Sequence, residues 1–563
     1  MISFARIAAS SRLHAADDGP IFDPGLTYTG TNGNDSQVGT GDDDVFKFGQ
    51  GGEDTIFGGA GDDEIRLGGE FTPDDRINGG NGYDLLLLNG DYYDAIQPIL
   101  GPNTLFAVEE IRFAAGNDYV LTFDDANVAP AEVLTIDASA LGVDRFTSID
   151  TRPETDGLFV YKGGAANDAL YVGQDGNTVT GGAGGDFIYV FPDYAGATRF
   201  DGGPGFDFIS TVYSASASVT MAPGSVVHVE QFFTSATVGA GDITLELTLH
   251  DGNVAAGETM AINAGSTTGA TIAVFYDGSA ERDGAYQFGD TDRDDTMYGG
   301  KGNDRFDLFG GGDDRMRGGQ GNDIFVVSSA TLTAADSLDG GRGIADTLQL
   351  AGDYFGGLVF GPTTLGGVEY ILLDANFSYY LTSDDATVAA GSVLHVDGFV
   401  LTFGRSLSFD GSAETDGRFD MNGGSGSDSL IGGSGRDVLF GRGGGDLVQG
   451  NLRGDRLAGG NSADTFRYLT LLDSRAADPD TITDFGLGAD LIDLSGIDAD
   501  ASTGGDQAFH FGKTPGRTGD ITAKYDALAD VTVVKLYVNA DDTADAVIWL
   551  KGDHTLSAAD FVL

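Results

Sequence analysis

The sequence predicts an all-β protein: a parallel β-roll or β-solenoid of nonapeptide repeats, followed by a C-terminal β-domain. Three observations carry that expectation. Five aspartates, Asp428, Asp437, Asp446, Asp455 and Asp464, recur at nine-residue intervals in GGSGSDSLI, GGSGRDVLF, GRGGGDLVQ, GNLRGDRLA and GGNSADTFR. The residue two after each aspartate is apolar: Leu430, Leu439, Val448, Leu457 and Phe466. Glycine supplies 90 of 563 residues while 41% of the chain is apolar, so glycine punctuates a core-forming sequence instead of forming linker.

Nine residues divide into a loop of about six and a strand of about three, half a solenoid turn, with the central strand residue pointing inward. Glycine gives such loops their positive φ angles and close backbone approach. Loops two repeats apart then share an edge at a spacing of roughly 4.8 Å. Asp428, Asp446 and Asp464 should line one edge, Asp437 and Asp455 the other. Carboxylates about 5 Å apart repel by roughly 3 kcal/mol per pair at an effective dielectric near 20. A hard cation taking about 6–8 oxygens at 2.3–2.6 Å offsets that repulsion, and Ca²⁺ suits such loops better than the smaller, strictly octahedral Mg²⁺. Loop, acid and apolar residue together resemble the RTX nonapeptide, a calcium-binding repeat. The resemblance implies multiple Ca²⁺ ions held by these aspartates and by loop carbonyls, including those of Gly424, Gly426, Gly433 and Gly435.

Looser copies precede this strict block, which spans 422–467. A first block, 30–90, carries Asp35, Asp43, Asp54, Asp63 and Asp84, and Gln37 in place of the apolar residue makes its first unit read as a capping turn. A sparse block, 163–209, carries Asp168, Asp186 and Asp207. A third, 289–346, carries Asp295, Asp304, Asp314, Asp323 and Asp346, with loop glycines Gly300, Gly302, Gly319 and Gly321. Residues 1–29 form a leader segment.

Between the blocks a longer unit occurs three times, over 91–162, 210–288 and 347–421. The copies open with VEEIRF, VEQFFT and VEYILL and close with SIDTRPETDG, FYDGSAERDG and SFDGSAETDG. Alternating apolar strands broken by Gly, Asp and Asn read as wider solenoid turns or small β-domains continuous with the rolls. The closing motif admits a metal or sugar site through Asp410, Glu414 and Asp416, or an acidic turn between strands; the turn is the reading adopted.

A net charge of −57 opposes binding to nucleic acid or anionic membrane, and divalent cations are the natural counterions. Without cysteine there are neither disulfides nor thiolate metal sites. MISFARIAASSRLHAADDG lacks the apolar core of a classical signal peptide, and no run of 18 apolar residues suggests a membrane span.

From Asp480 the text changes to DTITDFGLGADLIDLSGIDAD, then GDQAFHF, and ends in AADFVL. These segments resemble the C-terminal domain of serralysin-type proteases, through Asp480, Ile482, Asp484, Phe485, Gly488, Asp490, Asp493, Leu494, Ser495 and Ile497, with Asp560-Phe561-Val562-Leu563 at the end. The resemblance covers roughly 470–563, within a segment 468–563, and implies an uncleaved type I secretion signal. VNADDTADAV lacks the glycines of the family text, so the resemblance does not carry calcium over to Asp541 and Asp545. Trp549, in an apolar strand, is expected in the core.

The resemblance does not bring the protease. The six histidines, His14, His228, His250, His395, His510 and His554, form no HExxH motif, and neither a G-x-S-x-G elbow nor a phosphate loop occurs. The reading adopted is a non-catalytic surface-layer, matrix or adhesive component that folds on Ca²⁺ outside the cell. Its expected partners are calcium, the type I machinery, and its own copies or cell-surface polysaccharide. The alternative is a secreted enzyme acting on extracellular polysaccharide or protein. Triplication favours the first, because structural modules are repeated more often than active sites are.

Overall fold

The computed structural model describes residues 25–93, 99–191, 194–237, 241–265, 271–328, 331–500, 502–512 and 516–563. Most of the expected leader, 1–24, lies outside the described residues. The chain divides into two compact units, Met1–Thr211 and Val212–Leu563. In each, short strands pair in parallel with the strand two elements further on, so that consecutive strands fall on alternate faces of a solenoid.

In the first unit one sheet runs through Val45–Phe48, Glu64–Leu67, Leu85–Leu88, Glu110–Phe113, Val133–Asp137, Leu158–Lys162, Thr178–Thr180 and Arg199–Asp201. The register stacks Phe46, Ile65, Leu86, Ile111, Ile136, Tyr161, Val179 and Phe200 in one inward column. The column is buried throughout. A second column, Leu121, Ile149, Leu170, Ile188 and Ile209, runs through the parallel strands that begin with Tyr119–Thr122.

The second unit repeats the scheme with a longer column: Phe288, Phe306, Phe325, Leu348, Ile371, Val396, Met421, Leu439, Leu457 and Ile482. Opposite it stand Leu381, Phe409, Leu430, Val448, Phe466 and Ile492. The apolar residue of every strict repeat thus falls in a column, because side chains alternate faces along a strand and one turn is two repeats.

Turn length separates the repeat blocks from the triplicated units. Asp428 and Asp446, bonded across adjacent turns, are 18 residues apart. In the first long unit Phe146 donates its N–H to Asp118 one turn earlier, 28 residues away, and in the third Thr415 donates to Asp385, 30 away. The triplicated units are therefore wide turns in the same sheets.

The parallel stack ends in an antiparallel layer. Asp520–Asp526, Val531–Leu536 and Ala546–Lys551 pair antiparallel in sequence, and the last pairs in parallel with Asp480–Ile482. Phe561–Val562 adds to Leu491–Asp493. Such pairing covers the last solenoid strands, whose open edges would otherwise invite association. Trp549 departs from expectation: it is 37% exposed, on the outer side of Ala546–Lys551, while Ile548 and Leu550 take the inward positions. In a continuous apolar strand only alternate residues face the core, and composition alone does not fix the phase. The only helix among the described residues is the 3₁₀ turn Ala558–Asp560, and none there is long and apolar enough to cross a membrane.

The columns make a direct stability test. Leu439→Ala, at a fully buried column position, should cost about 3 kcal/mol in calcium-saturated protein. Leu528→Ala, at a 98% exposed position, should stay within about 0.5 kcal/mol. Chemical denaturation of both variants checks the contrast.

Candidate metal centre

Each nonapeptide loop ends on its aspartate just before the strand, which places the carboxylate inside the edge of the solenoid. Oδ1 accepts the backbone N–H of the corresponding aspartate one turn earlier. On one edge of the strict block Asp428 donates to Asp446 (2.8 Å), Asp446 to Asp464 (2.8 Å) and Asp464 to Asp490 (3.1 Å). On the other edge Asp437 donates to Asp455 (2.7 Å) and Asp455 to Asp480 (2.9 Å). The expected division of the five aspartates between two edges is therefore what the hydrogen bonds display.

The earlier blocks build the same ladders. Asp168 donates to Asp186 and Asp186 to Asp207, each at 2.8 Å. Asp35, Asp54 and Asp75 form one ladder, and Asp44, Asp63 and Asp84 another. In the third block the ladders are Asp295–Asp314–Asp336 and Asp304–Asp323–Asp346. Asp43 is a correction: it is half-buried, its Oδ1 accepts the N–H of Asp62, and its buried neighbour Asp44 holds the ladder position. Glycine at position 39, five residues before Asp44, is the signal that assigns the register.

Other ladder members escape the nonapeptide pattern altogether. Glu109 and Glu369 receive the N–H of Asp84 and Asp346, the longer side chain bridging a step where the loop changes form. Asp75 and Asp336 lie in turns without glycine, where the N–H of Thr72 or Thr333 binds the carboxylate instead. Asp480 and Asp490, at the start of the serralysin-like text, extend both ladders of the strict block.

The second carboxylate oxygen divides the loops into two kinds. In the first loop of a run, Oδ2 accepts the N–H of the residue four before: Gly164 for Asp168, Gly300 for Asp304, Gly424 for Asp428 and Gly433 for Asp437, at 2.7–2.8 Å. In later loops the Oδ2 atoms of Asp63, Asp84, Asp186, Asp323, Asp446, Asp455 and Asp464 are buried and accept no hydrogen bond. In each of these seven loops the residue four before has positive φ: Gly59, Gly80, Gly182, Gly319, Arg442, Asn451 and Gly460. Where that residue is turned, its N–H no longer reaches the carboxylate.

Arg442 and Asn451 hold this conformation at φ of 77° and 71°, where a side chain is disfavoured. Loop backbones also pack closely between turns. A Cβ on Gly319 or Gly321 would collide with the carbonyl oxygen of Gly300 or Gly302 one turn below, and one on Gly444 with that of Gly426. Gly435 packs in the same way on Gly417. Each of these seven loops thus presents a bare carboxylate oxygen close to backbone carbonyls of the neighbouring turn. An all-oxygen set with a buried, unpaired negative charge suits Ca²⁺.

Burial raises these carboxyls from their ordinary 3.8. Asp323 and Asp446 rise to about 8, and Asp84, Asp186 and Asp314 to about 7. Asp63, Asp304, Asp428, Asp437 and Asp464 rise to about 6. N–H donors pull the other way, while in most turns neighbouring carboxylates add to the rise. Asp455 is pushed up by burial and by the facing Asp480. Without a cation, several of these buried groups therefore hold protons near neutral pH.

Comparison with known proteins agrees with this geometry. Residues 29–65, 161–190 and 290–325 match the RTX calcium-binding nonapeptide repeat, and 420–563 match the peptidase M10 serralysin C-terminal domain. The second match takes in the strict repeat block as well as the tail. No curated protein is significantly similar to the chain. Among solved structures, the AlgE6R2 subunit of the Azotobacter vinelandii mannuronan C5-epimerase aligns at 26% identity over 31% of this chain and 92% of its own, with a TM-score of 0.17. The matched segments are RTX calcium-binding repeats and a serralysin-type C-terminal domain. Repeats of this kind bind multiple Ca²⁺ ions, and together with the serralysin-type C-terminal domain they indicate a calcium-binding protein secreted by the type I route.

Two outcomes follow from the ladders. Asp446→Ala, at the centre of the strict block, should raise the calcium midpoint for folding roughly tenfold, whereas Asp35→Ala, in the partly exposed first turn, should shift it far less. Circular dichroism during calcium titration reads both.

The second outcome concerns pH. Unfolded carboxyls ionise near about 3.9. With raised folded values, protonation stabilises the closed metal-free form at low pH, and this contribution is lost as pH rises through about 6 to 8. The metal-free chain should hold more β structure near pH 5 than near pH 8. Its calcium midpoint should fall over the same rise in pH, as protons cease to compete; a midpoint independent of pH would refute the ladder account.

Proposed function

We propose that this protein is a non-catalytic surface-layer, matrix or adhesive component of the cell exterior, folded by calcium after export. In this reading 30–90, 163–209, 289–346 and 422–467 are the calcium-dependent blocks. Residues 91–162, 210–288 and 347–421 are spacers between them, and 468–563 carries the export signal. The ions sit between successive turns, held by the ladder aspartates named above and by carbonyls of the adjoining loops, among them those of Gly300, Gly302 and Gly426.

One observation carries the non-catalytic reading. The acidic motif that closes each wide turn is built alike in all three copies: Glu154, Glu281 and Glu414 are fully buried, and each accepts the N–H of the glycine three residues on. Repetition with the same backbone contacts is what a scaffold requires. The net charge of −57 gives such a scaffold a reason to assemble only where divalent cations screen and link it.

Cell fractionation with and without chelator tests the reading. Protein held at the cell surface and shed by chelator is the expected result. Protein wholly free in the medium, with hydrolytic or lyase activity on extracellular polysaccharide, would overturn it. Deletion of residues 504–563 should trap the chain inside the cell with its repeats intact, and recovery of that deletion outside at normal levels would refute the export route.

A further inference from the structure

The acidic motif of the second wide turn carries an inference of its own. Carboxylate oxygens of Asp251, Glu281 and Asp283 lie within 4.8 Å of one another. None of the three belongs to a nonapeptide repeat. Glu281 is fully buried, and its Oε1 accepts the N–H groups of Arg282, Asp283 and Gly284 at 2.9, 3.2 and 3.1 Å. Its Oε2 is buried and accepts no hydrogen bond. The hydroxyl of Tyr286, which feels the Glu281 charge, is likewise buried and unpartnered.

A buried carboxylate with one oxygen fixed by three donors and the other bare needs a positive charge nearby. Arg282 only partly meets that need: it pairs with Asp251 at 3.2 Å from an exposed position, where a guanidinium contributes little. We propose that Asp251, Glu281 and Asp283 form a divalent-cation site distinct from the nonapeptide ladders, with Ca²⁺ as its ligand. Three carboxylates supply about three to six of the roughly 6–8 oxygens that Ca²⁺ takes, and turn carbonyls and water complete the shell.

The position explains what such an ion would do. The N–H of Lys301 donates to the carbonyl of Glu281 (3.1 Å), so the loop that opens the Asp304–Asp323–Asp346 ladder rests directly on this turn. That loop belongs to Asp304, whose own carboxylate is satisfied by Gly300 and Tyr286 and holds no bare oxygen. An ion at Glu281 would fix the platform on which the ladder begins.

The other copies differ in an informative way. The first gathers Asp125, Glu154 and Asp156 within the same distance, but Glu154 Oε2 accepts the N–H of Val128 (3.3 Å) and is not bare. In the third copy Glu414 Oε2 is buried and unpartnered, while Asp385 Oδ1 binds Thr415. Only the second copy combines the three gathered carboxylates with the bare buried oxygen among the described residues.

The test counts Ca²⁺ ions per chain by native mass spectrometry of the full-length, calcium-loaded protein. Asp283→Asn alters an exposed carboxylate and leaves its backbone contacts in place, so the variant should fold and carry one ion fewer than the parent. Glu281→Gln should lose the same ion, and if it fails to fold, Asp283→Asn alone decides. An unchanged count in a folded Asp283→Asn variant overturns the proposal. So does loss of several ions at once, which would mark the motif as a structural turn whose damage spreads into the ladder.

Discussion

The structure depends on one unfavourable arrangement: carboxylates buried in columns at the edges of parallel sheets. Each is held by the N–H of the turn before it, yet in the inner loops one oxygen is left bare. A protein of ordinary composition would replace such groups, since an unpaired buried charge opposes folding by several kcal/mol. Here the aspartates recur turn after turn, and the loops adopt positive φ at the position that would otherwise quench them. Even Arg442 and Asn451 accept that conformation. The backbone is arranged to keep the oxygens available, which makes the closed form contingent on a cation.

That contingency links the solenoid core to the compartment. Apolar columns such as Phe288 through Ile482 favour collapse everywhere, while the acid edges favour it only where calcium is plentiful. A net charge of −57 adds self-repulsion to the metal-free chain. In the function proposed above, an open chain is what the secretion channel passes, and calcium binding outside becomes folding free energy. The C-terminal segment fits the same logic, because Asp480 and Asp490 make the tail domain the last step of the ladders as well as the carrier of the export signal.

The wide turns give the calcium blocks their spacing without interrupting either unit's sheets. Turns of 28 or 30 residues replace turns of 18, and the extra residues lie in loops while the inward residues keep their columns. The buried glutamates close these turns locally by gathering the N–H groups of the residues that follow. DGSAETDG closes its turn through the backbone contacts of Glu414, and the gathered carboxylates and bare oxygen of the second copy go beyond that role.

The sequence alone determined the period, the inward residues and the two edges. A nine-residue repeat with one apolar strand position leaves a parallel two-sided stack as the arrangement that buries every such residue. It also determined the acid ladders of the strict block, because register and spacing there never slip. The tertiary structure decided what depends on the turn beneath. It placed Asp44 rather than Asp43 in the ladder, recruited Glu109, Glu369, Asp75 and Asp336 across irregular turns, and faced Trp549 outward. It also separated loops whose aspartate is quenched by its own backbone from loops whose aspartate is bare. The nonapeptide text is nearly the same in both, and the turned peptide is found in loops that stack on a loop of the preceding turn, a contact some 18 residues away.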